Sequence, residues 1–220
     1  MSIASNLQSI QNELPENVTL VAVSKTKPVT DLMQAYEAGQ RIFGENKIQE
    51  MTEKYEQMPK DIQWHMIGHV QTNKVKFMAP FVSLIHGVDS LKLLQEINKQ
   101  ASKNNRTIDC LLQIHIAEED TKFGLDDAEL QDLLHSDELK KLQNIQIKGL
   151  MGMATFTENK LQIEKEFGYL KKLFDRYKNT DLENCKMNTL SMGMSGDYQL
   201  AISCGSNMVR IGSSIFGGRV

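Results

Sequence analysis

No run of apolar residues in this 220-residue chain is long enough to cross a bilayer. Its opening segment, MSIASNLQSIQNEL, lacks the basic stretch followed by an apolar block that marks a secretory signal. Nor is there a basic excess. The formal net charge is −3, with both signs interspersed and no Lys/Arg stripe of the kind a dedicated nucleic-acid binder carries. Nucleic acid and membrane are therefore not expected as partners. Cysteine is scarce: Cys110, Cys185 and Cys204 are odd in number, and their spacings fit neither a zinc nor a redox motif. A disulfide framework is not expected, which favours a reducing, cytoplasmic compartment. No Gly/Pro/Ser-rich linker or low-complexity segment divides the chain, so a single domain over residues 1–220 is expected.

What is present is a globular composition, 40% hydrophobic and 24% charged, with a clear rhythm. Ile3, Leu7, Ile10 and Leu14 fall on one helical face. Val18 to Ser24 then forms a β-branched run that is apolar on both faces, as in a doubly covered parallel strand. Thr30 and Asp31 are candidate caps for a helix running to Gly39. Further strands are expected at 41–44, 64–67, 82–88, 107–116, 145–151, 187–191 and 208–212, with helical stripes such as Leu91, Leu94, Ile97 and Ala101 between them. Strict βα alternation calls for a parallel sheet clothed in helices, and eight units close naturally into a (β/α)₈ barrel, an α/β fold of the TIM-barrel class. A doubly wound open sheet is the rival.

In such a barrel the chemistry sits at the C-terminal ends of the strands. Lys25 directly follows the first apolar strand. It is either a snorkelling strand-end lysine or a partly desolvated amine fit to attack an aldehyde. Lys27 reads as a solvated loop charge. Glu45 and Asn46 either cap the next helix or aim polar groups at a ligand. His65 alternates with apolar neighbours and faces the interior, and with His69 it lacks a third metal ligand. Lys122 stands out in the charged loop after strand five. The last two loops, Ser191 to Asp197 and Arg210 to Gly218, are rich in glycine and serine. They either simply close the barrel or cradle a phosphate at helix N-termini. A lysine on strand one, beside a phosphate cradle on strands seven and eight, fits a ligand carrying an aldehyde and a phosphate, and pyridoxal phosphate is the obvious candidate.

The segments VAVSKTKP, FGEN-x-x-QE, WH-x-IG-x-x-Q-x-NK, LSMGMSGDY and VRIGSSIFG resemble the pyridoxal phosphate homeostasis proteins, a group related to the N-terminal barrel of alanine racemase. The resemblance implies an internal aldimine on Lys25. It implies a phosphate held by Ser195, Gly212 and Ser213, helped by backbone amides near Met194 and Ser214. Arg210 would face the pyridine nitrogen and disfavour a proton there, and Asn46 would lie beside the ring. Lys122 matches the lysine of the family's loop after strand five, whereas His115 and Ala117 stand where the family has asparagine and serine. Lys47 and His69 receive no role.

The chain ends at Val220, just after the eighth unit, so the C-terminal β-domain that gives racemases their second base is not expected. The leading expectation is a non-enzymatic, predominantly monomeric carrier of pyridoxal 5'-phosphate (PLP), acting in intracellular vitamin B6 homeostasis, with PLP-dependent apo-enzymes as acceptors. A weak PLP-dependent racemase or lyase, with His65, Lys122 or Tyr198 as base, is the alternative. A cofactor-free Schiff-base aldolase is the third reading.

Overall fold

The computed structural model describes residues 2–119 and 123–218. Eight strands alternate with helices: β1 (Thr19–Val23), β2 (Ile42–Glu45), β3 (Gln63–Met66), β4 (Leu84–Val88), β5 (Ile108–Ile114), β6 (Ile145–Gly152), β7 (Cys185–Ser191) and β8 (Met208–Ile211). The helices are α1 (Ile3–Glu13), α2 (Val29–Glu37), α3 (Ile48–Gln57), α4 (Val75–Met78), α5 (Leu91–Lys103), α6 (Asp127–His135), α7 (Asp137–Lys140), α8 (Lys160–Tyr177), α9 (Tyr198–Ser203) and α10 (Ser213–Phe216). Each strand hydrogen-bonds in parallel to the next, and β8 returns to β1 with Val21 opposite Arg210. The expected barrel is therefore closed, and the open doubly wound sheet is ruled out. Strand five stops at Ile114, two residues short of the expected end.

The core divides as the barrel requires. Val21, Leu84, Leu111, Met151 and Met208 form a small cluster inside the ring of strands. A much larger cluster lies between the strands and the outer helices and includes Leu7, Phe43, Trp64, Leu94 and Phe167. The helices lay down their apolar stripes on this outer layer; α5 buries Leu93, Leu94, Ile97 and Ala101. Several start at side-chain caps: Ser90 accepts from Leu93 N–H, and Asp126 with Glu129 forms a capping box. Thr30 and Asp31 do not cap α2 as expected. The N-cap is Pro28, at φ −70° and ψ 156°, so the helix begins at Val29 and both residues lie in its first turn.

Candidate functional site

Side chains alternate along a strand, so Val21, Val23 and Lys25 share one face. Val21 packs inside the barrel, and Val23 and Lys25 continue that face into a cavity of ≈ 580 Å³ at the C-terminal mouth. That volume is typical of a small-molecule or cofactor site. The residues on either side of Lys25 are tied down on the other face. Ser24 Oγ donates to Glu45 Oε1 at 2.6 Å, and Ser24 O accepts from Lys54 Nζ at 2.8 Å. Thr26, held at φ 62°, donates its N–H to Glu50 Oε1 at 2.6 Å. Lys54 Nζ also bonds Glu45 and Glu50, each at 2.7 Å. Burial pushes the Glu45 carboxyl above its ordinary range, against the pull of Lys54. Glu45 and Asn46 are thus not helix caps; the N-cap of α3 is Lys47, without a side-chain bond. Asn46 lines the cavity, and its buried Oδ1 has no hydrogen-bond partner. Gly68 makes that placement possible, because a Cβ there would come within 2.4 Å of Asn46 O.

The loops after β7 and β8 form the adjoining wall, β8 being paired with β1. Gly193, at φ 97°, turns the chain out of β7 so that Met194 and Ser195 reach the cavity. Ser195 Oγ accepts from Gly212 N–H at 3.2 Å, leaving its own O–H available as a donor. Gly212 is the N-cap of α10, and Ser213 and Ser214 open that helix. First-turn amides of a helix have no acceptor within it and attract anions. Gly212 and Ser213 line the cavity, whereas Ser214 is exposed and lies outside the lining. Met194 lines the cavity too, but its N–H donates to Asp197 Oδ1 at 2.5 Å, so that amide is committed within the loop.

Arg210 reaches the cavity from β8 while its guanidinium is anchored behind it. Nη1 donates to Ser191 O at 3.0 Å and Ser191 Oγ at 2.6 Å, and Nη2 donates to Gly152 O at 3.1 Å. Burial lowers its pKa to about 10, with Asp197 acting in the opposite sense, so it stays protonated at neutral pH. Ser191 Oγ lies 3.3 Å from His86 Nδ1, and His86 Nε2 lies 3.1 Å from His65 Nδ1. Burial drives His65 down to about 3 and His86 well below its usual value, so both imidazoles are neutral.

Lys25, Asn46, Met194, Ser195, Arg210, Gly212 and Ser213 therefore meet at one cavity. An aldehyde-seeking amine, an unpartnered amide oxygen, a free hydroxyl donor and a helix start fit a phosphorylated aldehyde such as PLP. Lys27 departs from expectation: it lines the cavity and donates to Gly218 O at 2.9 Å. Of the candidate bases, His65 is buried behind the site, and Tyr198 donates to Glu13 at 2.6 Å outside the lining. Lys122 lies outside the described residues. His115 Nε2 is 3.3 Å from Glu119 O, Ala117 is buried, and neither lines the cavity. Sequence reasoning missed His86, Lys54 and the apolar wall of Phe123, Met153 and Phe156. For His86 the signal was available: it is the single polar residue of Leu-Ile-His-Gly-Val, a strand buried throughout. Among the described residues, no group of three or more His, Cys, Asp or Glu side chains could hold a metal ion, and no helix is long and apolar enough to cross a membrane.

The family model for the alanine racemase N-terminal domain matches residues 1–220. The pyridoxal phosphate homeostasis protein of Pasteurella multocida is 39% identical over 100% of this chain and 98% of its own length. That of Escherichia coli K12 is 33% identical over 99% and 97%. The solved structure of PipY from Synechococcus elongatus, with PLP bound, superposes with a TM-score of 0.89 at 33% identity, covering 98% of this chain and 100% of that one. An alanine racemase from Clostridium difficile shares the fold with a TM-score of 0.79 at 18% identity; the match covers 99% of this chain and 56% of the racemase.

Proposed function

The chain belongs to the alanine racemase N-terminal domain family, and we propose that it is a PLP-binding protein of intracellular vitamin B6 homeostasis, holding its cofactor covalently on Lys25. The observation that carries this reading is the shared cavity, in which the strand-one lysine faces the Ser195 and Ser213 loops of the last two units. PLP supplies an electrophilic aldehyde, an anionic phosphate and a pyridine ring. Lys25 Nζ would hold the aldehyde carbon covalently, with loss of water. The Ser195 hydroxyl and the first amides of α10 would receive the phosphate. The Arg210 guanidinium, fixed by Ser191 and Gly152, would meet the pyridine nitrogen and disfavour a proton there, which would make the ring a poor electron sink. Asn46 would contact the ring.

A carrier needs no base poised over the cofactor. That His65 and Tyr198 are not among the residues lining the cavity supports a non-catalytic role. We extend the proposal to a single-domain, predominantly monomeric cytoplasmic protein that passes PLP to apo-enzymes; its unpaired cysteines are in keeping with a reducing compartment.

The test is an absorbance spectrum of the protein loaded with PLP, followed by borohydride reduction and peptide mapping. Cofactor fixed on Lys25, and lost in Lys25→Ala, is the expected result. Loaded protein that shows no imine absorbance and fixes no cofactor on Lys25 overturns the reading. α-Proton exchange of an amino acid in deuterated water, above the rate of free PLP and dependent on Lys25, would replace the carrier with an enzyme.

A further inference from the structure

The reactive lysine is flanked by two residues that answer to the same buried ammonium. Lys54 Nζ has three donors, and three acceptors surround it: Ser24 O at 2.8 Å, Glu45 Oε1 at 2.7 Å and Glu50 Oε1 at 2.7 Å. Each carboxylate oxygen is shared with a neighbour of Lys25. Glu45 Oε1 also accepts from the Ser24 hydroxyl, and Glu50 Oε1 also accepts from the Thr26 amide, both at 2.6 Å. Lys54 is only 5% exposed, and Glu45 is fully buried. Stability alone gives little reason for such a cluster, since a buried ion group is commonly no better than well-packed apolar side chains. Lys54, Glu45 and Glu50 are also absent from the cavity lining, and their side chains reach the segment around Lys25 through the backbone of Ser24 and Thr26 and the Ser24 hydroxyl.

We propose that Lys54, bridging Glu45 and Glu50, is a positioning residue that clamps the chain on both sides of Lys25 and so aims its amine at the aldehyde carbon of the cofactor. The inference rests on the covalent PLP reading above. It also explains the left-handed backbone of Thr26, a conformation a threonine adopts at a cost and which the Glu50 bond to its amide holds in place. The clamp acts on covalent capture, since its side-chain bonds run to Ser24 and Thr26 rather than to the Ser195 and Ser213 loops.

The experiment is a mutant cycle on the full chain. PLP retention is measured by equilibrium dialysis in protein with Lys25 and in Lys25→Ala. With Lys25 present, Glu50→Ala, at a half-buried helix position, is expected to raise the half-saturating PLP concentration roughly tenfold. Glu50→Gln, which keeps an acceptor for Thr26, restores it. Lys54→Met behaves as Glu50→Ala wherever circular dichroism shows it folded. In Lys25→Ala, Glu50→Ala is expected to change retention by less than about twofold, because no amine remains to be aimed. An equal loss in both backgrounds, or none in either, overturns the clamp while leaving PLP binding intact. Wild-type protein that fixes no cofactor with borohydride overturns the Lys25 reading and this inference with it.

Discussion

Arg210 Nη1 and Ser191 Oγ lie 2.6 Å apart, and this contact joins the guanidinium of a cavity-lining residue to a polar chain running through His86 to His65 inside the barrel. The Arg210 guanidinium donates to the Ser191 hydroxyl and to the carbonyls of Ser191 and Gly152. Ser191→Ala removes one charge-assisted bond and the partner of His86 Nδ1. It is expected to destabilise the protein by about 2 kcal/mol, read from urea denaturation, and to shift the absorbance of bound PLP by loosening the guanidinium.

The two buried histidines set an acid limit. In the unfolded chain their pKa is the ordinary 6.5, whereas in the fold burial holds His65 near 3 and His86 well below 6.5. Below pH 6.5 the unfolded state therefore binds more protons, so stability falls as pH falls through that window and is insensitive to these groups above it. Each histidine contributes a slope of about 1.4 kcal/mol per pH unit. The expected result is a urea midpoint that drops steeply between pH 6 and pH 4, with His65→Gln roughly halving that component of the slope.

The proposed phosphate site turns on one hydroxyl. Ser195 Oγ already accepts from Gly212 N–H, which leaves its own O–H available to donate to an anion in the cavity. Ser195→Ala is expected to weaken PLP retention about tenfold, the worth of one hydrogen bond to a charged group. Equilibrium dialysis of the Lys25→Ala protein isolates this effect from covalent capture. Inorganic phosphate should compete in the same assay.

Gly193 carries the turn that delivers this loop. Its φ is 97°, and a Cβ there would lie 2.6 Å from Ala201 Cβ. Gly193→Ala is expected to cost about 2–4 kcal/mol through combined backbone strain and overpacking. A fall in Tm together with weaker PLP retention would report both effects.

The barrel was legible because its strands are apolar runs of the right length, and Lys25 stood out as a charge placed directly after the first of them. The two glycine-serine loops were visible for the same reason, since composition there departs from both strand and helix. What escaped was whatever depends on tertiary approach. Lys54 stands on an amphipathic helix, where a charge reads as solvated, and only the meeting of Ser24, Glu45 and Glu50 makes it a core residue. The Met194 amide was expected at the phosphate, but an aspartate three residues on takes it first. The cap expected at Thr30 and Asp31 was displaced because Pro28 starts α2 sooner.

Because β8 closes on β1, each strand of the ring has a neighbour on both sides, and the sheet offers no free edge for another chain to extend. Another chain cannot dock by adding a strand to it. What enters the cavity passes over the rim, where Phe156 stands 95% exposed. Residues that keep the cylinder intact and residues that greet a visitor are thus largely different sets, and the rim can be altered while the staves stay as they are.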